Sequence, residues 1–434
     1  MLPTLAQLRG FLHQVIDDAS EQGHLTNGLA SELDGLPPSY DAAVAFAHRL
    51  AALGLSDDWP YVEPDDHAAI GPECDPARAT GPLGPVPDAA DRLRAAFLAR
   101  VCGCMLGKPF EIDVGLDVIR SALESSDEWP LRDYPTEAAL RSLPSLQGQW
   151  TELARERIGH VAPDDDINYT ILAMLVLEQH GVGFTQEQLR TQWLYNLPPL
   201  VTFGPERSFL IASALWSLDG EGFDPGLLNP GSELCGALIR ADAYGYAAIG
   251  NPSLAAELAH RDASMTHRRT GVYGAMFVAA AIAASPFASE PLDMVREGLR
   301  YVPQRSRFHE RASECLALVE AATDWMDGYE RIHERLGGFG FCRIYQELGC
   351  LINTLRFATD AAHGICLQVM QGNDTDSFAA TAGSMLGAFH GRIDERWYAP
   401  FDDDVHTALA IFHERSLSVI ADRMAALPAA VRGA

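Results

Sequence analysis

Apolar side chains recur every three or four positions along most of this chain. Between residues 3 and 22, Leu5, Leu8, Leu12 and Val15 follow this spacing, which places them on one face of a helix. Because no stretch of five or more residues alternates clearly between apolar and polar, and no repeat has a fixed period, we expect an all-α fold. The spacing predicts further helices over these segments: 39–53, a helix that begins near 88, 186–196, 206–217, 233–249, 253–263, 271–284, 291–301, 308–326 and 343–358.

Two segments are apolar on every side. Residues 271–284 predict a central buried helix, and residues 378–389 predict a second helix built largely from small side chains. In and after the second, Gly383, Gly387 and Gly391 recur every fourth residue, so we expect them to share one face and let a neighbouring backbone approach. No apolar run reaches the length that a membrane-spanning helix needs.

Composition divides the chain into three parts. We expect residues 1–55 to form an N-terminal helical extension and residues 56–88, rich in proline, glycine and aspartate, to form a linker or an extended wrap. Residues 89–434 form the main all-α domain. Within it, residues 112–160 show no helical period, and we expect them to be irregular and to cover a cleft.

The net charge and the cysteine content limit which binding partners and which cell compartment we expect. The 434 residues, 47% hydrophobic and 21% charged, fit a soluble globular protein. With 32 basic and 59 acidic side chains, the net charge is −27, which argues against nucleic acid and anionic membranes as partners. Eight cysteines without a CxxC pair, and an N-terminus without a signal peptide, indicate reduced thiols and a cytoplasmic location.

Two acidic segments stand at the start of apolar helices. Asp164, Asp165 and Asp166 precede one apolar run, and Asp374 and Asp376 precede the small-residue helix. Carboxylates buried at such places need a counter-charge. Five carboxylates without Cys or His favour a hard divalent cation, Mg²⁺ or Mn²⁺, over zinc.

Three consecutive aspartates fan out by about 100° each on a helix, so they cannot all hold one ion. Either they serve two ions, or two bind metal while the third caps the helix. Ser377 or Thr375 adds a hydroxyl group. The alternative is a solvated loop or a plain helix cap, and we assign that surface role to a third acidic segment, residues 402–404, because it precedes an ordinary amphipathic segment.

Four stretches in chain order resemble motifs of the ADP-ribosylglycohydrolase family, and together with a weaker fifth they span residues 90–391. GCMLGKPFE at 103–111 resembles the family's GDALGxPxE, and DDD at 164–166 resembles its TDDT. Thr266 and His267, followed by two glycines, resemble its TH…GxxGA. NDTDS at 373–377, with the glycine repeat after it, resembles its GDTDT/S segment. The fifth is GALIR at 236–240.

The resemblance implies a compact orthogonal multi-helix bundle whose catalytic domain, residues 89–434, hydrolyses an N- or O-glycosidic bond to the ribose of ADP-ribose. It implies a centre of two Mg²⁺ ions, with Mn²⁺ possible, that binds the two ribose hydroxyls next to the scissile bond and activates water. The substrate would be a small molecule or a protein-linked ADP-ribose. The implied metal ligands are Asp164, Asp165, Asp166, Asp374, Asp376 and Ser377.

Further roles follow from the same resemblance. Glu111 matches the family's mobile glutamate, a metal ligand or a general base for water, and would act with Asp165 and Asp166 in catalysis. The implied substrate-binding residues are Gly107, Arg240, His267, Gly271 and Gly274. For Arg240 an interhelical salt bridge is an equal alternative, and a lone histidine such as His267 is often structural.

The chain departs from the family pattern at several positions. Cys104 replaces the early Asp, Asp164 and Ile167 replace the two threonines of TDDT, and Cys235 replaces the Asn before Gly236. These changes suggest a distinct subgroup. Two other functions therefore stay open: an N-glycoside hydrolase for a nucleoside, nucleotide or other glycosylated metabolite, and a catalytically silent binding or structural member.

Overall fold

The structure, a computed structural model, describes residues 4–111, 114–144, 150–219 and 229–433. In these ranges the β pairings are isolated bridges only and the regular elements are helices, which confirms the predicted all-α fold. The α-helices are α1 Leu5–Glu21, α2 Leu29–Gly35, α3 Tyr40–Ala51, α4 His67–Glu73, α5 Ala89–Gly107, α6 Leu116–Glu124, α7 Glu137–Arg141, α8 Asp165–His180, α9 Gln186–Asn196, α10 Gly204–Asp219, α11 Asp242–Ala247, α12 Pro252–Ala263, α13 Arg269–Ala284, α14 Pro291–Gly298, α15 Arg307–Glu320, α16 Trp325–Leu336, α17 Tyr345–Phe357, α18 Ala361–Met370, α19 Thr375–His390 and α20 Leu417–Gly433.

Short 3-10 helices connect several of these elements. Two of them, Lys108–Phe110 and Cys235–Arg240, carry residues of the candidate site. The others are Trp150–Leu153, Gly181–Gly183, Pro199–Val201, Ser285–Phe287, Leu299–Tyr301, Gly337–Phe339, Glu395–Trp397 and Ala399–Phe401.

The helical spacing predicted many of these elements, but α2, α4, α16, α18 and α20 were not predicted, and two predicted segments differ from the structure. The predicted helix 233–249 is the 3-10 helix Cys235–Arg240 followed by the short α11. The described part of residues 112–160, predicted to be irregular, contains α6 and α7. That prediction was wrong because α6 buries Leu116 and Ile119 at helical spacing, a signal that the surrounding tryptophans and prolines obscured.

α5 and α19 run antiparallel with their backbones in direct contact. A methyl group added at a glycine of this interface would overlap the opposing main chain, so only glycine permits the approach. Gly391 does not join this face as predicted; its φ of 67° is left-handed, and it ends α19 as a C-terminal cap. The facing pairs are Gly107 with Thr375, Gly103 with Ala379, Ala99 with Gly383 and Ala95 with Gly387.

α13 is the predicted central helix, and every residue from Thr270 to Ala284 is buried. With the turn after it, the segment Arg269–Phe287 has 19 residues and a mean hydropathy of 1.4, long and apolar enough to cross a membrane by length and composition alone. The prediction that no run reaches that length was therefore wrong. In the fold 89% of the segment is buried, so neighbouring helices account for its apolar surface.

Residues before the main domain contact it at several points; Asp18 of α1, for example, accepts from Gly231 N–H at 2.6 Å. α1, α2 and α3 share a separate apolar cluster that includes Leu12, Leu33 and Phe46. The segment that follows runs as a wrap, in which Val62 N–H donates to the Arg305 carbonyl at 3.0 Å. The division at residues 55 and 88 stays a prediction.

The glycine contact between α5 and α19 should be intolerant of a methyl group. We expect Gly383→Ala to lower the free energy of unfolding by about 1–3 kcal/mol, since the added carbon meets the Ala99 carbonyl. Gly10→Ala is the matched control: it lies in α1 with open space around it, so the change should stabilise by about 0.5–1 kcal/mol. Urea denaturation measures both, and equal effects would contradict the close packing.

Candidate metal centre

The candidate site lies where the C-terminal end of α5 meets the N-terminal end of α19. Thr375 Oγ1 donates to the Gly107 carbonyl at 2.8 Å and ties the two ends together. The chain then turns through Lys108–Phe110 and delivers Glu111 beside the start of α19. Gly107 is buried against the backbone of Thr375 and Asp376, so its position serves helix packing.

α8 brings the second acidic segment to the same place. Asp164 caps this helix, its Oδ1 accepting from Asp166 N–H at 2.9 Å, as one of the sequence-based alternatives proposed. Asp166 in turn accepts a hydrogen bond at Oδ2 from Ser377 Oγ, at 3.0 Å. The structure thus brings residues 164–166 and 374–377 together, although they are far apart in the sequence.

Side-chain atoms at this junction form groups in which potential ligand atoms all lie within 4.8 Å of one another. One group is Glu111, Asp374 and Asp376. A second is Cys104, Asp164 and Asp166, and a third is Cys235, Cys342 and Asp374. The sequence-based set of candidate ligands contained no cysteine, whereas the fold places three thiols beside the aspartates.

Positive charge at the site comes from two side chains. Lys108 forms an ion pair with Asp164. Arg100, fully buried, pairs with Asp166 at 3.0 Å and with Asp242 at 2.5 Å. The cluster itself contains six carboxyl groups, so negative charge remains in excess: Glu111, Asp164, Asp165, Asp166, Asp374 and Asp376.

The pKa values of these carboxyl groups reflect that excess. Burial, together with the Asp376 and Asp164 carboxylates, raises the pKa of Glu111 to about 10. Burial and Asp164 raise the pKa of Asp376 to about 6, and burial raises that of Asp374 well above its usual range. Burial likewise raises the pKa values of Asp165 and Asp166.

Asp164 shows the opposite shift. Burial disfavours its charged form, but the Lys108 ammonium, together with hydrogen bonds from Lys108, the Asp166 N–H and the Cys104 thiol, outweighs this effect and lowers the pKa of Asp164. By contrast, Asp376 Oδ1 is buried without a hydrogen-bond partner in the described part of the chain. A divalent cation fits the Glu111, Asp374 and Asp376 group, because three carboxyl groups converge there and Asp376 Oδ1 has no hydrogen-bond partner among the described residues.

The predicted substrate-binding residues Arg240 and His267 lie in a buried network. Arg240 donates to Asp262 at 2.5 Å, to Glu206 at 2.6 Å and to Thr266 at 2.8 Å. His267 Nδ1 lies 2.7 Å from Thr266 Oγ1, and burial lowers its pKa well below the usual value. These contacts match the salt-bridge alternative for Arg240, and a role in binding stays a prediction for both residues.

The two glycines of α13 also face protein atoms. A methyl group at Gly271 would meet the His267 ring and the Ser232 carbonyl, and one at Gly274 would meet Leu238. Their position allows close packing around the Arg240 network, and their role in substrate binding stays a prediction.

Sequence reasoning missed three residues that organise the site. Lys108 lay within a recognised motif but received no role, and Arg100 lay on an apolar helix. Glu347, on α17, accepts from Cys342 N–H at 2.8 Å, and burial raises its pKa to about 7. A buried charge within an apolar helix was the only signal for Arg100 and Glu347.

The acidic segment 402–404 is a surface turn, as expected. Asp402 and Asp403 are exposed and have φ values of 50° and 56°. Asp404 pairs with Arg415 at 2.5 Å and with His406 at 3.1 Å. These aspartates therefore provide controls for the buried ones.

Comparison with known proteins identifies the class. The family model described as ADP-ribosylglycohydrolase matches residues 85–430, so the chain belongs to the ADP-ribosylglycohydrolase family. This family is hydrolytic and metal-dependent. A solved structure described as "ADP-ribosylglycohydrolase-related protein complex" is 18% identical, with a TM-score of 0.47, over 79% of this chain and 100% of that one. No curated protein matches significantly.

The metal-free protein should lose stability as pH rises. The raised pKa values mean that the folded state holds these protons more tightly than the unfolded state. This stabilisation is complete below the unfolded values near 4 and is lost as pH passes about 6 for Asp376 and about 10 for Glu111. Thermal melts in EDTA should therefore show Tm falling from about pH 5 to about pH 8.

Two variants test whether the buried carboxyl groups, rather than other titrating groups, cause this pH dependence of Tm. Asp376→Asn should flatten the pH dependence, because it removes one of the shifted groups, whereas Asp402→Asn should leave it unchanged. The same slope in all three proteins would contradict the assignment. Added Mg²⁺ should raise Tm more at the higher pH, where the carboxyl groups no longer hold protons.

Proposed function

We propose that this protein hydrolyses a glycosidic bond to the ribose of an ADP-ribose-type substrate with the help of divalent cations, Mg²⁺ or Mn²⁺. The observation that supports this proposal is the convergence of residues 164–166 with residues 374–377, joined by the Ser377 to Asp166 hydrogen bond. Family membership supplies the reaction class. A cytoplasmic location and a small-molecule or protein-linked substrate are parts of the proposal.

The donor sets divide between two places. Glu111, Asp374 and Asp376 would hold one cation, and Asp164, Asp166 and Asp165 would contribute to the second. The first place has the greater need for a cation, since Lys108 already neutralises part of the charge at the second. When bound, the cations supply positive charge that orients the two ribose hydroxyls and acidifies water.

The carboxylates suit the charge that develops during cleavage. Glycosidic cleavage passes through a transition state in which the sugar ring gains positive charge, and nearby negative groups stabilise it. Arg100 fixes Asp166, and Asp164 is fixed as the cap of α8, so these two aspartates need little reorganisation.

Glu111 would act as the general base. With its pKa raised to about 10, it holds a proton at neutral pH and cannot accept another. Positive charge in its cluster lowers that pKa, so Glu111 becomes a carboxylate only when the cluster is neutralised. In that state it can take the proton from the attacking water.

The experiment is a turnover screen. ADP-ribosylated peptides, O-acetyl-ADP-ribose and simple nucleosides are incubated with the protein in Mg²⁺ and in EDTA, and the released products are separated by chromatography. We expect cleavage of an ADP-ribosyl substrate in Mg²⁺ only. Cleavage of nucleosides alone would favour the metabolite hydrolase, and no cleavage together with no stabilisation by Mg²⁺ would favour a silent family member.

Asp376→Asn should lower turnover by at least about 100-fold. Replacing a residue that only hydrogen-bonds a metal ligand already costs up to about 100-fold, and Asp376 is proposed to bind the metal itself. Asp402→Asn is the matched control and should retain activity, because it changes an equally acidic but exposed segment, and asparagine tolerates its left-handed backbone. Equal turnover of both variants would contradict the assigned site. Circular dichroism checks that both are folded.

A further inference from the structure

Two thiols converge on one oxygen of Asp374. Cys235 Sγ lies 3.2 Å from Asp374 Oδ2, and Cys342 Sγ lies 3.8 Å from the same atom. All three potential ligand atoms lie within 4.8 Å of one another. The cysteines come from different elements, Cys235 from the start of a 3-10 helix and Cys342 from the turn before α17.

The backbone holds these thiols in place. Cys235 N–H donates to the Cys342 carbonyl at 3.1 Å, which joins the two segments directly. Cys342 has a φ of 61°, unusual for a residue other than glycine, and Glu347 accepts its N–H at 2.8 Å. Arg240 anchors the other end of the Cys235 helix through Glu206 and Asp262. The thiols are therefore positioned by the fold before any ligand binds.

Two acidic side chains next to the thiols have no cationic partner among the described residues. Neither Asp374 nor Glu347 forms an ion pair within the described part of the chain, and both are nearly fully buried, at 3% and 2% exposure. Glu347 Oε2 also lacks a hydrogen-bond partner there. A buried carboxylate without a cation is costly, which favours a positively charged occupant.

The distances match those of a tetrahedral metal site. With metal–sulfur bonds of about 2.3 Å and metal–oxygen bonds of about 2.0 Å, tetrahedral ligands place sulfur and oxygen about 3.5 Å apart. The observed 3.2 and 3.8 Å bracket this value. We propose that Cys235, Cys342 and Asp374 bind a thiophilic divalent cation of the zinc type, at the edge of the proposed Mg²⁺ centre.

The chemistry of binding is simple. Each thiol releases its proton to solvent as its sulfur binds the cation, and Asp374 also releases its proton and binds as a carboxylate. Three protein ligands leave the fourth position for a water molecule. Asp374 is shared with the Glu111 and Asp376 group, so a cation at the thiols would lie next to that group. The thiol site does not depend on hydrolytic activity.

Cobalt(II) is the probe, because thiolate ligands give it a charge-transfer absorption that oxygen ligands do not. The full-length protein is stripped with a chelator under a thiol reductant, freed of chelator and titrated with Co²⁺. We expect one Co²⁺ per chain with thiolate absorption, lost when Zn²⁺ is added. Absence of this absorption in the wild-type protein would overturn the proposal.

Variants locate the ion. Cys342→Ser and the double variant Cys235→Ser/Cys342→Ser should lose the thiolate absorption, while Cys366→Ser, a buried cysteine of α18, should keep it. Absorption that persists in the double variant would overturn the assignment. So would a thiol titration that finds Cys235 and Cys342 joined as a disulfide under the same reductant.

The experiments can distinguish a failure of the hydrolase proposal from a failure of the thiol-site proposal. Ser377→Ala changes the oxygen side of the centre and should leave the cobalt absorption intact. If the wild-type protein shows no turnover but shows thiolate absorption, the hydrolase proposal fails and the thiol site stands. If turnover is normal without that absorption, the reverse holds.

Discussion

The site depends on the contact between the backbones of α5 and α19. Four facing pairs, each with a glycine on one side, bring the two main chains together over almost the full length of both helices. At one end of this contact Gly107 meets Thr375, so the chain on either side of that point must deliver its side chains to one place. Lys108, Glu111 and Asp376 are neighbours for this reason. The packing of small residues thus determines the position of the charged ones.

The second constraint is the placement of negative charge in an apolar interior. Arg100 fixes Asp166 and Asp242, and Lys108 fixes Asp164, but Asp374 and Asp376 have no cation of their own in the described part of the chain. Excess negative charge is retained where a protein binds cations and is otherwise unfavourable. By contrast, Asp402 and Asp403 are exposed to solvent and the half-buried Asp404 is paired with Arg415, so none of these three is buried without a cation.

The sequence predicted the fold class, the central helix α13, the close-packing role of Gly383 and Gly387, and the acidic segments that meet. Helical spacing and short motifs are local, and they showed these features directly. The roles of Lys108, Glu347 and Cys342 were not predicted, because they arise from contacts between segments that are distant in the sequence. Cys342, for example, contacts Asp374 from a left-handed backbone conformation in which Glu347 accepts its N–H. The thiols were not among the predicted ligands, because only their position in the fold shows that they lie beside Asp374.

The spacing of the glycines has one more consequence. Since the small residues recur every fourth position, sliding α19 along α5 by one turn would again bring glycines opposite one another, with Gly383 against Gly103. The glycine repeat therefore determines the distance between the two helices but not the register of α19 along α5. That choice falls to hydrogen bonds at the two ends: Thr375 to the Gly107 carbonyl, and Arg92 to the Ala388 and Phe389 carbonyls at 2.9 and 2.6 Å. Arg92 lies at the opposite end of α19 from the acidic ligands. By fixing the register of α19, it helps to hold the aspartates in position next to Glu111.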